Sequence, residues 1–343
     1  MLRLVLAFAC LAVAPRTPDV APRAPEIEDA LVVHGVTISC QTNGREWGTD
    51  AFAAELDRLC ALGVNWVAIH PYARIENDGS VRWRGYPSET PPQHLVRPIR
   101  EARARGLSIL IMPHLAYWGS RFRSRNEIDF AVPEERARFW STYRAWLGAL
   151  AEVVRDADAF SIGNETDRLL GDEGEWRGLI ADVRARTRAK LVYAANWSDY
   201  ERVPFWDALD AIGVQAYFPL AASAEPSDAE LEQAWNALVP KLRGLSQRTG
   251  KPVVFTELGY PCSLGAAREP WSYAEARGSE REAAASLQAR CLAVALRVVE
   301  RERSWLRGAF LWKWFVGPAP GENFLLNEPN LRAELERAWR GRR

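Results

Sequence analysis

Two glutamates, each at the end of an apolar run, are the residues of this chain whose setting points to chemistry. Residues 159–166 read Ala-Phe-Ser-Ile-Gly-Asn-Glu-Thr, and residues 253–260 read Val-Val-Phe-Thr-Glu-Leu-Gly-Tyr. A short apolar run of this kind reads as a buried strand. Glu165 and Glu257 would then stand at strand mouths, where a carboxylate can meet a ligand. Two such carboxylates on one scaffold suit acid–base and nucleophilic work on a glycosidic bond. They lie 92 residues apart, room for about three strand–helix units of roughly 30 residues each.

The elements that must position them alternate along the chain. The predicted strands are Val32–Ser39, Asn65–Ile69, Leu107–Met112, Ala159–Ile162, Lys190–Ala195, Ala211–Gln215, Pro252–Thr256 and Gly308–Trp312. Amphipathic helical stretches fall between them. Thr49 can cap a helix carrying Phe52, Leu56 and Leu59 that stops at Gly63. Pro91–Arg105, Pro133–Arg155, Glu173–Arg188 and a short piece at Phe205–Leu209 follow, with a closing helix at Leu331–Arg340. Ser227-Asp-Ala-Glu230 and Ser279-Glu-Arg-Glu282 read as capping boxes that open two more helices. Eight strands with right-handed helical crossovers predict a single (β/α)8 TIM barrel. No Gly-rich phosphate loop follows the first strand, which argues against a doubly wound open sheet.

In such a barrel the site lies at the C-terminal mouth of the strands. That layer holds Cys40 and Gln41, His70 and Tyr72, His114, Asn164 and Glu165, Asn196 and Trp197, Gln215 and Tyr217, Glu257 and Tyr260, and Trp312 and Trp314. It is a polar and aromatic ring with carboxylates after the fourth and seventh strands. That placement permits a carboxyl separation of about 5–5.5 Å, the retaining arrangement. His70 and His114 read as hydrogen-bonding or supporting groups rather than metal ligands, since a metal would want a third ligand at close spacing. No metal or cofactor is expected. Of the fifteen Trp, Trp140, Trp146, Trp235, Trp305 and Trp339 read as packing. For Trp118, Trp197, Trp312 and Trp314, sugar contact and packing both stand open.

Composition sets the boundaries. With 343 residues, 48% of them hydrophobic, the chain can fill one large core. Basic and acidic side chains balance at 44 each, so nothing global points to nucleic acid or an anionic membrane. Residues 1–14 resemble a signal peptide, with a basic start, a short apolar run and Ala12-Val13-Ala14, and residues 15–28 a flexible Pro-rich linker. The barrel domain is then 29–343, secreted or periplasmic, with Cys10 a weak echo of a lipoprotein site; the sequence does not fix the oligomeric state, and a monomer is favoured. No segment is long enough to span a membrane. Cys40, Cys60, Cys262 and Cys291 lack metal-site spacing.

The detail goes further. Ile162-Gly-Asn-Glu165, Tyr193-Ala-Ala-Asn-Trp197, Ile212-Gly-Val-Gln-Ala-Tyr-Phe-Pro-Leu220 and Gly250-Lys-Pro-Val-Val-Phe-Thr-Glu-Leu-Gly-Tyr260 resemble glycoside hydrolase family 113 of clan A. Pro113-His114 and Glu269-Pro-Trp271 do so too, and the likeness runs from about residue 30 to 315. The resemblance implies a (β/α)8 barrel and retaining hydrolysis of β-1,4-mannosidic bonds without a metal. By motif, Glu165 would be the acid/base and Glu257 the nucleophile. Asn164 would hold the sugar 2-hydroxyl, Tyr217 would orient the nucleophile, and Trp312 would floor the subsite of the cleaved sugar. His70, His114, Trp197 and Tyr72 complete the expected substrate-binding set.

Departures from the family pattern are Met112 where a Lys is usual, Pro261-Cys262 where Arg-Ser is usual, and the segment Val316–Asn330. The first two remove cations from the neighbourhood of the site and leave the substrate open. Two close carboxylates cannot both ionise easily, and the reading places their proton on Glu165 and the charge on Glu257. The competing readings are a non-catalytic carbohydrate-binding barrel, with both glutamates as salt-bridge partners of Arg, and a clan A relative with another β-glycan substrate.

Overall fold

The computed structural model describes residues 32–87, 89–318 and 323–340. The expected leader (1–14), the linker (15–28) and Cys10 lie outside them.

Eight strands close into a parallel barrel. In chain order they are β1 (Val33–Ser39), β2 (Trp66–Ile69), β5 (Ser108–Ile111), β7 (Ala159–Asn164), β8 (Lys190–Asn196), β9 (Ala211–Gln215), β10 (Val253–Leu258) and β11 (Leu306–Phe315). β1 closes the ring on β11, with Val33 opposite Gly308. Three strands absent from the sequence reading form a small sheet beside the barrel mouth: β3 (Tyr72–Ile75), β4 (Val81–Arg82) and β6 (His114–Ala116). They are short continuations of the chain past β2 and β5, two to four residues each. Segments of that length carry too little alternation to stand out.

Helices cover the outside. They are α1 (Asp50–Ala61), α2 (Gln93–Ala104), α3 (Pro133–Val153), α4 (Glu173–Arg184), α5 (Asp228–Thr249), α6 (Arg281–Arg301) and α7 (Pro329–Trp339). Between β8 and β9 the crossover is made only of 3-10 turns, Tyr200–Arg202 and Trp206–Ala208. Thr49 caps α1 by accepting the Phe52 N–H at 3.4 Å, and Phe52, Leu56 and Leu59 bury the inner stripe. The Ser227 capping box forms with Glu230 as expected. The Ser279 box does not. A 3-10 turn at Gly278–Glu280 leads into α6, whose N-cap is Glu280 without a side-chain cap. The tighter turn moves the helix start past the serine, so its hydroxyl no longer faces the first free N–H groups.

The barrel interior and the helix–barrel layer are separate apolar bodies. The large cluster holds Trp146, Trp176, Trp235, Phe160 and Phe255. A smaller one joins Ala68, Leu110, Met112, Val192, Ala194 and Phe310. Met112 is fully buried in it, so the position where the family carries a Lys is here apolar packing. Trp314 points away from the mouth, its indole N–H donating to Glu55 of α1 at 2.9 Å. Of its two open readings, packing is the one realised.

Candidate active site

Glu165 and Glu257 line one cleft of about 730 Å³. It lies past the C-terminal ends of the barrel strands.

Glu165 follows β7 directly. The Gly163 before it is dictated by packing, since a Cβ there would meet the Trp176 ring at 2.8 Å and the Tyr193 ring at 2.9 Å. Glu165 itself has φ 51°, a left-handed conformation that a non-glycine residue adopts at a cost of roughly 1–2 kcal/mol. Hydrogen bonds hold it there: its N–H donates to Ala194 O at 3.0 Å, and the Thr166 N–H donates to the Tyr193 hydroxyl at 3.1 Å. Strain secured in this way is characteristic of functional positions. The carboxylate meets Arg125, whose Nη2 donates to Oε2 at 2.8 Å. Arg125 comes from a 3-10 turn, Arg125–Glu127, between β6 and α3.

Glu257 lies within β10 opposite Gln215 of β9 and is buried. The following Gly259 keeps the chain against β11, for a Cβ there would come within 2.7 Å of Trp312 O. The Tyr217 hydroxyl donates to Oε2 of Glu257 at 2.7 Å. Nε2 of His114 stands 3.7 Å from Oε1, too far for a hydrogen bond. Burial above all, and then the Glu165 charge, push the Glu257 carboxyl up to about 7, against the opposing pull of Arg125, Tyr217 and Gln215. Glu257 is the more deeply buried of the two, 5% exposed against 20% for the Glu165 side chain.

The other expected residues divide into lining and support. Tyr72, His114, Trp197, Tyr217 and Trp312 line the cleft with the glutamates. His70 stands behind, stacked on His114 at 4.8 Å and bonded through Nε2 to the Ser39 hydroxyl at 3.0 Å. Burial, then the charges of Lys313 and Arg125, lower its pKa to about 3, and His114 is lowered too, chiefly by burial. Both rings are therefore neutral. Asn164 is buried, with Oδ1 accepting from Gln215 Nε2. Its Nδ2 has no hydrogen-bond partner among the described residues, which leaves a donor beside Glu165. No group of three His, Cys, Asp or Glu side chains could hold a metal among the described residues.

The rim is aromatic. Trp197 stacks on Trp271 at 5.4 Å and 13°, and Trp118 leans on Tyr72 at 5.5 Å. Trp118, Trp271 and Tyr273 are 54%, 44% and 65% exposed, and all three line the cleft. Large aromatic faces left in water around a polar cleft suit the C–H faces of pyranose rings.

A cleft of this kind in an eight-stranded barrel invites comparison with known proteins. The sequence profile described as Glycoside Hydrolase Family 113 matches residues 36–322. The chain belongs to glycoside hydrolase family 113. It is a glycoside hydrolase. Among solved structures it is similar to the GH113 β-mannanase AaManA from Alicyclobacillus acidocaldarius, in complex with ManMIm. That likeness has a TM-score of 0.76 at 24% identity and covers 91% of this chain and 98% of that one. A second GH113 β-1,4-mannanase structure gives 0.75 at 20% identity, over 91% and 100%. A β-glucuronidase from Ruminococcus gnavus shares the fold at 0.59 and 12% identity, over 90% of this chain and 50% of that one. No curated protein sequence matches the chain.

Sequence reasoning missed the cations of this family 113 enzyme. With Lys absent at 112 and Arg absent at 261, the sequence pointed only to cations removed from the neighbourhood of the site. Arg125 and Lys313 both line the cleft. Arg125 arrives on the loop after β6, a segment with no regular pattern to mark it. Lys313 sits inside an apolar run, Leu311-Trp-Lys-Trp-Phe315, and is 5% exposed. Its ammonium lies 5.3 Å from the Trp312 ring centroid and 5.6 Å from that of Tyr273. A lone Lys within a buried strand was the one legible signal, because such a residue is rarely fully buried without a partner.

Proposed function

We propose that this glycoside hydrolase cleaves β-1,4-linked mannan or a related β-glycan by double displacement, with Glu257 as nucleophile and Glu165 as acid/base. The observation that carries the reading is the unequal setting of the two carboxylates. Glu257 is deep, and its Oε2 is fixed by Tyr217. Glu165 is nearer the rim beside Asn164, where a leaving-group oxygen can reach it. In the first step a Glu257 oxygen forms a bond to the anomeric carbon while the glycosidic C–O bond breaks, and Glu165 gives its proton to the departing oxygen. In the second, water gives a proton to Glu165 and its oxygen displaces Glu257. One proton shared by the pair suffices for both steps, and the proximity of the two charges ensures it. Support for mannan comes from the family and from its solved relatives, which are described as β-mannanases. The signal-like residues 1–14 extend the proposal to export, where such polysaccharides are met.

The test is reducing-sugar release from mannan, glucomannan, xylan and mixed β-glucan, with proton NMR of the first-formed anomer. Mannan or glucomannan cleavage with a β product is expected. An α product would sink double displacement, and silence on all four would favour a binding barrel. Tyr217 gives a sharper check. Tyr217→Phe removes the hydrogen bond that holds the Glu257 carboxylate, a charged interaction worth about 1.5–3 kcal/mol. Steady-state kinetics should show kcat lower by about 10- to 100-fold with KM nearly unchanged. A rise in KM alone would assign Tyr217 to substrate contact instead.

A further inference from the structure

A second groove, about 880 Å³ in volume, adjoins the cleft and shares Cys40, Tyr72 and Trp118 with it. Its walls are the loop after β1, the β3–β4 arm and the first turn of α2. Four arginines line it, Arg45, Arg74, Arg82 and Arg84, against one carboxylate, Glu76. In a chain whose charges balance overall, that is a local concentration of positive charge. Arg82 is held by Glu76 at 3.4 Å, and Arg74 donates to Trp118 O at 2.7 Å. Arg45 and Arg84 have no ion-pair or hydrogen-bond partner among the described residues. The nearby Glu46 is occupied by the Thr42 hydroxyl and the Gln41 N–H.

The α2 terminus adds to the field. Its first turn carries no acidic residue and no side-chain cap, and Pro92, His94 and Leu95 of that turn line the groove. A helix start left without an acidic side chain favours an anion. Trp83 and Tyr86 supply half-buried aromatic surface in the same groove. Aromatic faces beside forked guanidinium donors are the two contacts that an acidic sugar ring uses.

We propose that this groove binds an anionic unit of the glycan whose neutral linkage is cut in the adjoining cleft, a uronate or an acid-substituted hexose. The inference rests on the glycan-cleaving reading of the cleft and adds a substrate class to it. Trp118, common to both spaces, lies where a chain would pass from one to the other.

The experiment compares β-1,4-mannan with the same mannan partly oxidised at C6 to carboxylate, partly sulfated mannan, and dextran sulfate as an unrelated polyanion. Wild type should favour an acidic mannan over the neutral one by about three- to tenfold in kcat/KM, the yield of two exposed ion pairs. Which acidic mannan is preferred identifies the acid group. In the Arg45→Ala/Arg84→Ala double variant the preference should fall to near parity, and 0.5 M salt should erase it in wild type. Cleavage of neutral mannan with no preference for either acidic form overturns the groove and leaves the activity standing. If no mannan is cut, calorimetric binding of the intact oxidised chain decides the groove separately. Equal affinity in wild type and the double variant overturns it, and so does equal binding of dextran sulfate.

Discussion

Glu257→Ala is expected to lower kcat on mannan by about four orders of magnitude or more, because no other group can form the covalent intermediate. Glu165→Ala should cost about two to four orders, the usual share of proton transfer in the transition state. Loss alone does not separate their roles. Azide does. In Glu257→Ala a small anion can enter the space of the lost carboxylate and attack the anomeric carbon once, while Glu165 still protonates the leaving group. The product is then an α-glycosyl azide, of inverted configuration. In Glu165→Ala the covalent intermediate still forms from a substrate with a good leaving group, and azide displaces Glu257 to give a β-glycosyl azide. Mass spectrometry and NMR of the products read the answer directly. The opposite pattern would exchange the two roles, and near-wild-type turnover in either variant would end the two-carboxylate mechanism. Tyr217 anchors the expectation, since its 2.7 Å hydrogen bond fixes the Glu257 oxygen.

The barrel and the two glutamates were legible because they rest on periodic signals. A buried parallel strand is a continuous apolar run, and a capped amphipathic helix repeats every 3.6 residues. Asn164-Glu165 and Glu257 sit at the ends of such runs, so counting elements placed them together. What sequence did not disclose are features without a period. The β4–β3–β6 sheet consists of segments of two to four residues, too short to carry a pattern. Arg125 reaches Glu165 across 40 positions of chain, through a loop whose path depends on the closed barrel beneath it. The Ser279 motif failed for the converse reason: the residue types of a capping box were present, but a 3-10 turn took their place. The relative burial of the two carboxylates was not legible either, because it is a property of the packed site, and here Glu257 lies deeper than Glu165.

Arg125, its side chain 17% exposed, holds Glu165 at 2.8 Å, and its charge bears on Glu257 as well. Productive enzyme carries one proton on the pair, and activity is lost as that last proton leaves. A carboxyl raised to about 7 therefore places the basic limb of kcat/KM near neutrality, with activity falling as pH rises through it. A neighbouring cation favours the ionised pair and keeps that limb low. Removing it in Arg125→Ala should move the limb upward by about one to three units. The maximal rate should fall too, because Glu165 loses the contact that orients it. Arg125→Lys keeps the charge without the fork and should return the limb most of the way while restoring only part of the rate. Asp167 is the competing source of such a limb, since burial, Asp199 and Glu165 push its carboxyl up to about 7. Asp167→Asn separates them: the limb stays if it belongs to the glutamate pair and disappears if it belongs to Asp167. An Arg125→Ala profile that loses height with no movement of its basic limb would make Arg125 a structural support with no hold on the proton.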